Sequence, residues 1–241
     1  AKAEALRRWF REVFSDTVNT GIYVLEPSVL DLIPPRREFD FSNDLFPLMM
    51  REGRRLYGYV AEGYWRDVGD LMEYRLAHQD ILAGRVRVQI PGRKVEGLDQ
   101  AIWLDEGSRV DFTAGLRGSV LIGKNTRVEA NARITNSVIG DDCVVESGAV
   151  ITDSVLWNEV TIGPGAALAE NVVGRGSEVK ARARLFEGAL VSDACCIGEG
   201  SVVKADVKVW PQKLVEDGAI LSASLVWGDR WARSLFGAYG I

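Results

Sequence analysis

A single histidine and three cysteines occur in 241 residues, and each scarcity closes a class of function. One imidazole, His78, cannot build a three-histidine zinc site. It also leaves a single candidate base for acyl transfer, on a helix-like stretch where a satisfied surface histidine is the plainer reading. Cys143, Cys195 and Cys196 form no CxxC pair, which removes zinc ribbons and disulfide frameworks and leaves packing as their expected role. So few thiols fit a reducing compartment, and a cytoplasmic location is expected. No apolar run approaches the ~20 residues of a membrane span. Ala1–Phe14 is charged throughout and does not read as a signal peptide. A formal charge of −5 gives no general attraction to nucleic acid or anionic membranes. Arg7, Arg8 and Arg11 form a local basic face on a short helix, read as solvated.

What the chain has is periodicity. Ile122, Val128, Ile134, Ile139, Val145, Ile151, Leu156, Ile162, Leu168 and Val173 follow one another in steps of six, six and five. Val179, Leu185, Val191, Ile197, Val203, Val209 and Val215 continue in steps of six. Equivalent positions therefore recur every 17 and then every 18 residues. A chain that turns three corners per circuit and stacks its circuits has this period. Four residues after each aliphatic sits a small or β-branched residue, among them Thr126, Ala132, Val138, Cys143, Val155, Val172, Ser177 and Cys195. These are expected to face the crowded interior, with Lys213 the exception. Glycine often follows the aliphatic (Gly123, Gly140, Gly163, Gly174, Gly198) and is assigned to the backbone angle of a corner. The reading is a hexapeptide-repeat parallel β-helix from about Gln100 to Ala219, about seven coils long. Its left hand comes from the resemblance to hexapeptide-repeat proteins, not from the spacing.

The preceding residues mix short strands and helices. Ala1–Phe14 carries a helical stripe through Leu6, Phe10 and Val13. Val18–Leu25, Leu56–Val60 and Gly63–Val68 read as strands. Val29–Ile33 is a short helix stopped by Pro34 and Pro35, and Ser42 is placed as the cap of a helix over Leu45–Met50. Asp70 caps Leu71–Leu82, which Gly84 ends. About three strands in some 85 residues are not expected to close a core of their own.

Two stretches, Val18-Asn19-Thr20-Gly21-Ile22-Tyr23-Val24 and Gly63-Tyr64-Trp65-Arg66-Asp67-Val68-Gly69, together with Phe39–Pro47, Leu56–Tyr59 and the array, resemble the sugar-phosphate nucleotidyltransferases. The nearest branch resembles the bacterial mannose-1-phosphate guanylyltransferases. The resemblance implies an α/β (Rossmann-like) remnant over 1–85, a left-handed β-helix over 86–222 and a cap or linker over 223–241. It implies that an NTP and a sugar 1-phosphate are joined with release of pyrophosphate, with Mg²⁺ neutralising charge. By the same resemblance Asn19 and Gly21 bind the sugar, Tyr64 and Trp65 wall it, and Asp67 is a metal ligand. From the residues alone, Asn19 also reads as a strand-edge turn and Asp67 as part of a loop entering a helix.

The family's Gly-rich phosphate turn, its Glu-Lys-Pro and its first metal-binding Asp find no counterpart here. The chain is therefore expected to be a C-terminal portion that does not catalyse alone. Ser224–Gly228 and Ser234–Gly237 resemble a junction to a phosphomannomutase-like domain, so an internal piece of a longer protein is expected. Two other functions stay open: a non-catalytic oligomerisation or regulatory module, with a homo-oligomer formed through the β-helix, and a hexapeptide acyltransferase.

Overall fold

A computed structural model describes residues 17–97, 100–228 and the backbone of 230–231. The helix expected over Ala1–Phe14, with Arg7, Arg8 and Arg11, and most of the cap or linker expected over 223–241 fall outside the described residues. The chain divides into two compact units, Ala1–Trp65 and Arg66–Ile241. Among the described residues no helix is long and apolar enough to cross a membrane.

In the first unit, helix α1 (Pro27–Leu30) is followed by a π-turn over Phe41–Leu45 and helix α2 (Phe46–Arg51). The cap is Asp40 rather than the expected Ser42. Its carboxylate accepts the Asn43 N–H at 2.6 Å while its own N–H reaches Asp44 at 2.9 Å, a reciprocal pair that satisfies two backbone donors at once. Val29, Leu45 and Met49 form a small core against Leu25, Phe39, Phe41 and Phe46. Val18–Leu25 and Leu56–Val60 carry no ladder among the described residues, and neither does Gly63–Val68. A strand exists only when its backbone groups find a partner strand. Residue type gives these segments β character, and it cannot supply the partner. Ile22, Val24, Tyr57 and Tyr59 remain exposed.

The second unit is a parallel solenoid of about seven turns, made of three sheets of eight, seven and eight strands. An antiparallel hairpin, Arg93–Lys94 on Trp103–Leu104, opens it. We call the faces A (inward Ile122, Ile139, Leu156, Val173, Val191, Val209), B (Val128, Val145, Ile162, Val179, Ile197, Val215) and C (Ile134, Ile151, Leu168, Leu185, Val203, Leu221). All of these residues are buried. Ile139, Leu156, Val173, Val191 and Val209 lie in register coil upon coil.

Two details differ from the sequence reading. At the five-residue steps the small inward position moves back by one. Ser137, Ser154 and Asn171 turn inward, each at most 1% exposed, and Val138 and Val155 join a cluster outside the solenoid core. A step that loses one residue must lose it before the next aliphatic, so the preceding register shifts. Ser137 and Ser154 satisfy themselves along the stack: the Ser154 N–H donates to Ser137 Oγ and the Asn171 N–H to Ser154 Oγ, both at 3.0 Å.

The glycines that follow the aliphatics also have another role. Gly123, Gly140, Gly163, Gly174 and Gly198 do not have positive φ. A Cβ on Gly140 would stand 2.7 Å from the Trp157 carbonyl carbon of the next coil. These glycines let coils approach. The left-handed angle falls farther into each corner, on residues such as Asn125, Asp142, Gly148 and Gly165, where Asn, Asp and Gly carry it at least cost. Gly148 has φ 69°, and a Cβ added there would meet nothing within 4 Å. Gly148→Ala should therefore cost about 1 kcal/mol, and Gly140→Ala clearly more. Thermal unfolding of both variants checks this, and equal losses would contradict the close-approach role.

Candidate functional site

The motif Trp65-Arg66-Asp67-Val68-Gly69-Asp70 leads into helix α3 (Leu71–Leu82). Asp70 caps the helix by accepting the Glu73 N–H at 2.8 Å, as the sequence predicts. Gly84, at φ +76°, ends it. One apolar side of α3 packs on face A of the solenoid: Leu82 meets Val138 and Val155, with Tyr74, Ile90, Trp103 and Leu121 around them. The shift of register at the five-residue steps is what turns those two valines outward to receive the helix.

Polar contacts fix the same helix. Arg75, 9% exposed, donates to the Asp153 carbonyl and to the Glu170 carboxylate, each at 2.8 Å. Gln79 donates to the Asn136 carbonyl at 2.5 Å. Asn136, Asp153 and Glu170 all have positive φ and occupy equivalent corners of successive coils. The same helix also engages the chain before it: Arg66 grips the buried Asp80 through Nε at 3.0 Å and Nη2 at 2.8 Å, and also pairs with Glu73. Arg85 closes on the second Asp80 oxygen at 2.5 Å. The residue immediately before Asp67 is thus tied to the first and the last turn of the helix that follows it. Asp67 itself is exposed.

Asn19, Gly21, Tyr64 and Trp65 lie in the first unit and Asp67 in the second. Asn19 Oδ1 accepts the Gly21 N–H at 3.0 Å, and its amide donates to the Tyr23 hydroxyl at 2.8 Å. Gly21 has φ +72°, which the turn requires. Tyr23 in turn lies edge-on to Phe46, ring centroids 4.9 Å apart. The Asn-Thr-Gly turn is therefore held as an exposed, formed turn resting on the small core. Tyr64 and Trp65 are partly exposed.

For a divalent cation, Asp67 offers a solvent-open hard oxygen, which suits Mg²⁺, since that ion takes one or two protein carboxylates beside phosphates. Among the described residues no three His, Cys, Asp or Glu side chains converge as a complete metal cage. His78 Nδ1 bonds the Tyr74 carbonyl at 2.9 Å and its ring lies against Tyr74, so it is engaged within its own helix.

Similarity to known proteins follows the division of the sequence. Residues 2–84 match the family described as "Nucleotidyl transferase", and residues 99–203 match the "EIF2B subunit epsilon LbH domain". A segment similar to nucleotidyl transferases is joined here to a parallel solenoid similar to that LbH domain. A UTP–glucose-1-phosphate uridylyltransferase of Synechocystis sp. is 35% identical over 136 residues, 54% of this chain and 33% of that protein. A mannose-1-phosphate guanylyltransferase of Mycobacterium tuberculosis is 30% identical over 128 residues, 53% of this chain and 34% of that one. The matched stretch spans about a third of the length of these curated relatives. Among solved structures, the acetyltransferase domain of PglB from Neisseria gonorrhoeae FA1090 is similar over 56% of each chain, at 22% identity and a TM-score of 0.38. At that level no activity is carried across.

The motifs contain Tyr23 and Arg66 but assign them no role, and Arg75, Gln79 and Asp80 lie outside them. Part of the signal is in the sequence: Glu73 and Asp80 stand seven residues apart, on one face of a helix, within reach of a single arginine. Cys143 and Cys195 take the packing role expected of them. Burial pushes the Cys143 thiol up to about 11 and raises Cys195 as well, and their Sγ atoms donate to the Trp157 and Trp210 carbonyls at 3.0 Å. Alkylation of the native chain at pH 8 should therefore modify the less buried Cys196 first. Equal rates at all three thiols would mean that the coils open readily.

Proposed function

We propose that the chain forms the sugar-binding side of a sugar-1-phosphate nucleotidyltransferase, with mannose 1-phosphate and GTP as substrates and GDP-mannose and pyrophosphate as products. The observation that carries the reading is the pair of motifs within the nucleotidyl transferase match. One is a formed Asn-Thr-Gly turn, and the other is an Asp67 loop braced on a helix. In the reaction, a sugar-phosphate oxygen attacks the α-phosphorus of the NTP in line and pyrophosphate leaves. Asn19 would exchange its bond to Tyr23 for a sugar hydroxyl, and Gly21 would leave room for the ring. Tyr64 and Trp65 would cover an apolar sugar face, and Asp67 would hold Mg²⁺ beside the phosphates. Bound Mg²⁺ supplies charge neutralisation. The NTP phosphates need groups that this chain's motifs do not provide.

Two measurements test the reading. Adding mannose 1-phosphate should shift the Asn19 side-chain amide and Trp65 indole NMR signals in the chain, and the Trp65 signal should stay in place in Asn19→Ala. No pyrophosphate should form from GTP and mannose 1-phosphate with the chain alone. Unmoved signals, or steady turnover by the isolated chain, would refute the respective half of the proposal.

A further inference from the structure

Face B carries its outward side chains in two straight columns. In the first, Arg109, Arg127, Val144, Thr161, Glu178, Cys196 and Leu214 stack in register through seven coils. In the second, two residues along each strand, stand Asp111, Glu129, Glu146, Gly163, Lys180, Gly198 and Glu216. Face A, by contrast, receives α3.

Four of the charges in these columns have an inverted symmetry about their middle, while Arg109, Asp111 and Glu146 have no charged counterpart. The middle lies between the Val144 and Thr161 coils, whose second-column residues are Glu146 and Gly163. One coil beyond these two on one side are Arg127 and Glu129; one coil beyond them on the other are Glu178 and Lys180. The signs are reversed in both columns. Arg127 and Glu178 are separated by three coils, about 14 Å at sheet spacing, so they cannot pair within one chain. Neither Arg127 nor Lys180 has a salt-bridge partner among the described residues.

We infer that face B is the contact surface for a second copy of this chain, packed face to face with the two solenoid axes antiparallel. The two-fold axis runs along the strands and passes between the Val144 and Thr161 coils. Such an axis reverses coil order and keeps each column opposite itself. Arg127 then meets the partner copy's Glu178, and Glu129 meets the partner copy's Lys180. Symmetry repeats both, giving four ion pairs around a centre where Val144 faces Thr161. Isolated exposed pairs contribute little, but four in one pattern fix register and exclude the misaligned pairings. This gives a geometry to the homo-oligomer expected from the repeat, and it does not depend on the nucleotidyl transfer reading.

Charge swaps on the intact chain, followed by sedimentation equilibrium at ~0.1 M salt, decide the matter. The parent chain should be a dimer. Arg127→Glu alone, or Glu178→Arg alone, places two like-charge contacts in the interface and should weaken the dimer at least about tenfold. Arg127→Glu with Glu178→Arg should restore it. A parallel dimer would instead oppose Arg127 to the partner copy's Glu129, and would be restored by Arg127→Glu with Glu129→Arg. Restoration by that second pair overturns the antiparallel arrangement. So does a parent chain that is monomeric or trimeric, or a single swap without effect. The three substituted positions are exposed, and unchanged thermal unfolding of the variants keeps loss of folding out of the comparison.

Discussion

Replacing Asp80 with alanine should free α3 from its brace while the coils stay folded. The Asp80 carboxylate is buried, 4% exposed, and takes Arg66 on one oxygen and Arg85 on the other. Removing one partner from a buried ion pair typically costs about 3–5 kcal/mol, because the remaining charge is left without compensation. Here the lower end applies, since Arg66 keeps Glu73 and the largely exposed Arg85 returns to water. A loss of about 3 kcal/mol corresponds to roughly a hundredfold faster amide exchange by local opening. Hydrogen exchange should show that acceleration over Leu71–Leu82, with the amides of Val145–Val203 unchanged. Acceleration spread equally over the coils would show that α3 is not a separately opening element.

Ile151→Ala should damage the solenoid itself. Ile151 is fully buried in the middle of face C, in register between Ile134 and Leu168. Truncating a buried isoleucine costs about 2–5 kcal/mol, more where the surroundings cannot collapse into the gap. In a stack whose neighbours are held in place by their own hydrogen bonds, collapse is restricted, which favours the upper part of that range. Because each coil is supported only by the coils beside it, the loss should lower the midpoint for the whole array in denaturant unfolding. Phe112→Ala, at a side chain 95% exposed, is the matched control and should change stability little. A small effect at Ile151 would show that the interior tolerates voids.

The solenoid is legible because its inward aliphatics obey one period, and a period survives a single odd residue. Its finer register is not. Val138 and Ser137 are both small enough for the interior, and hexapeptide spacing points to the valine. A five-residue step offers one position fewer, and only the position nearer the previous aliphatic remains inside. The glycines mislead for a related reason. A corner uses glycine twice, once for a left-handed angle and once for clearance, and composition does not separate Gly148 from Gly140. In the site, Asn19, Gly21 and Asp67 can be named from their motifs. Their wider supports cannot, because Tyr23 meets Phe46, and Arg75 meets Glu170 to fix α3, only after the chain has turned through other elements.

The way α3 reads the corners has a limit built into it. Four residues of helix advance about 6 Å, whereas one coil advances about 4.8 Å. The two repeats drift apart by about 1.2 Å per step, so a helix laid along the stack loses phase within a few turns. Gln79 meets one corner squarely, and the long reach of Arg75 absorbs the slip by touching two. Extending α3 toward its N-terminus would widen the slip against the next corners, at Gly188 and Asp206. That mismatch favours a brief helix at this edge, followed by a loop able to take its own course.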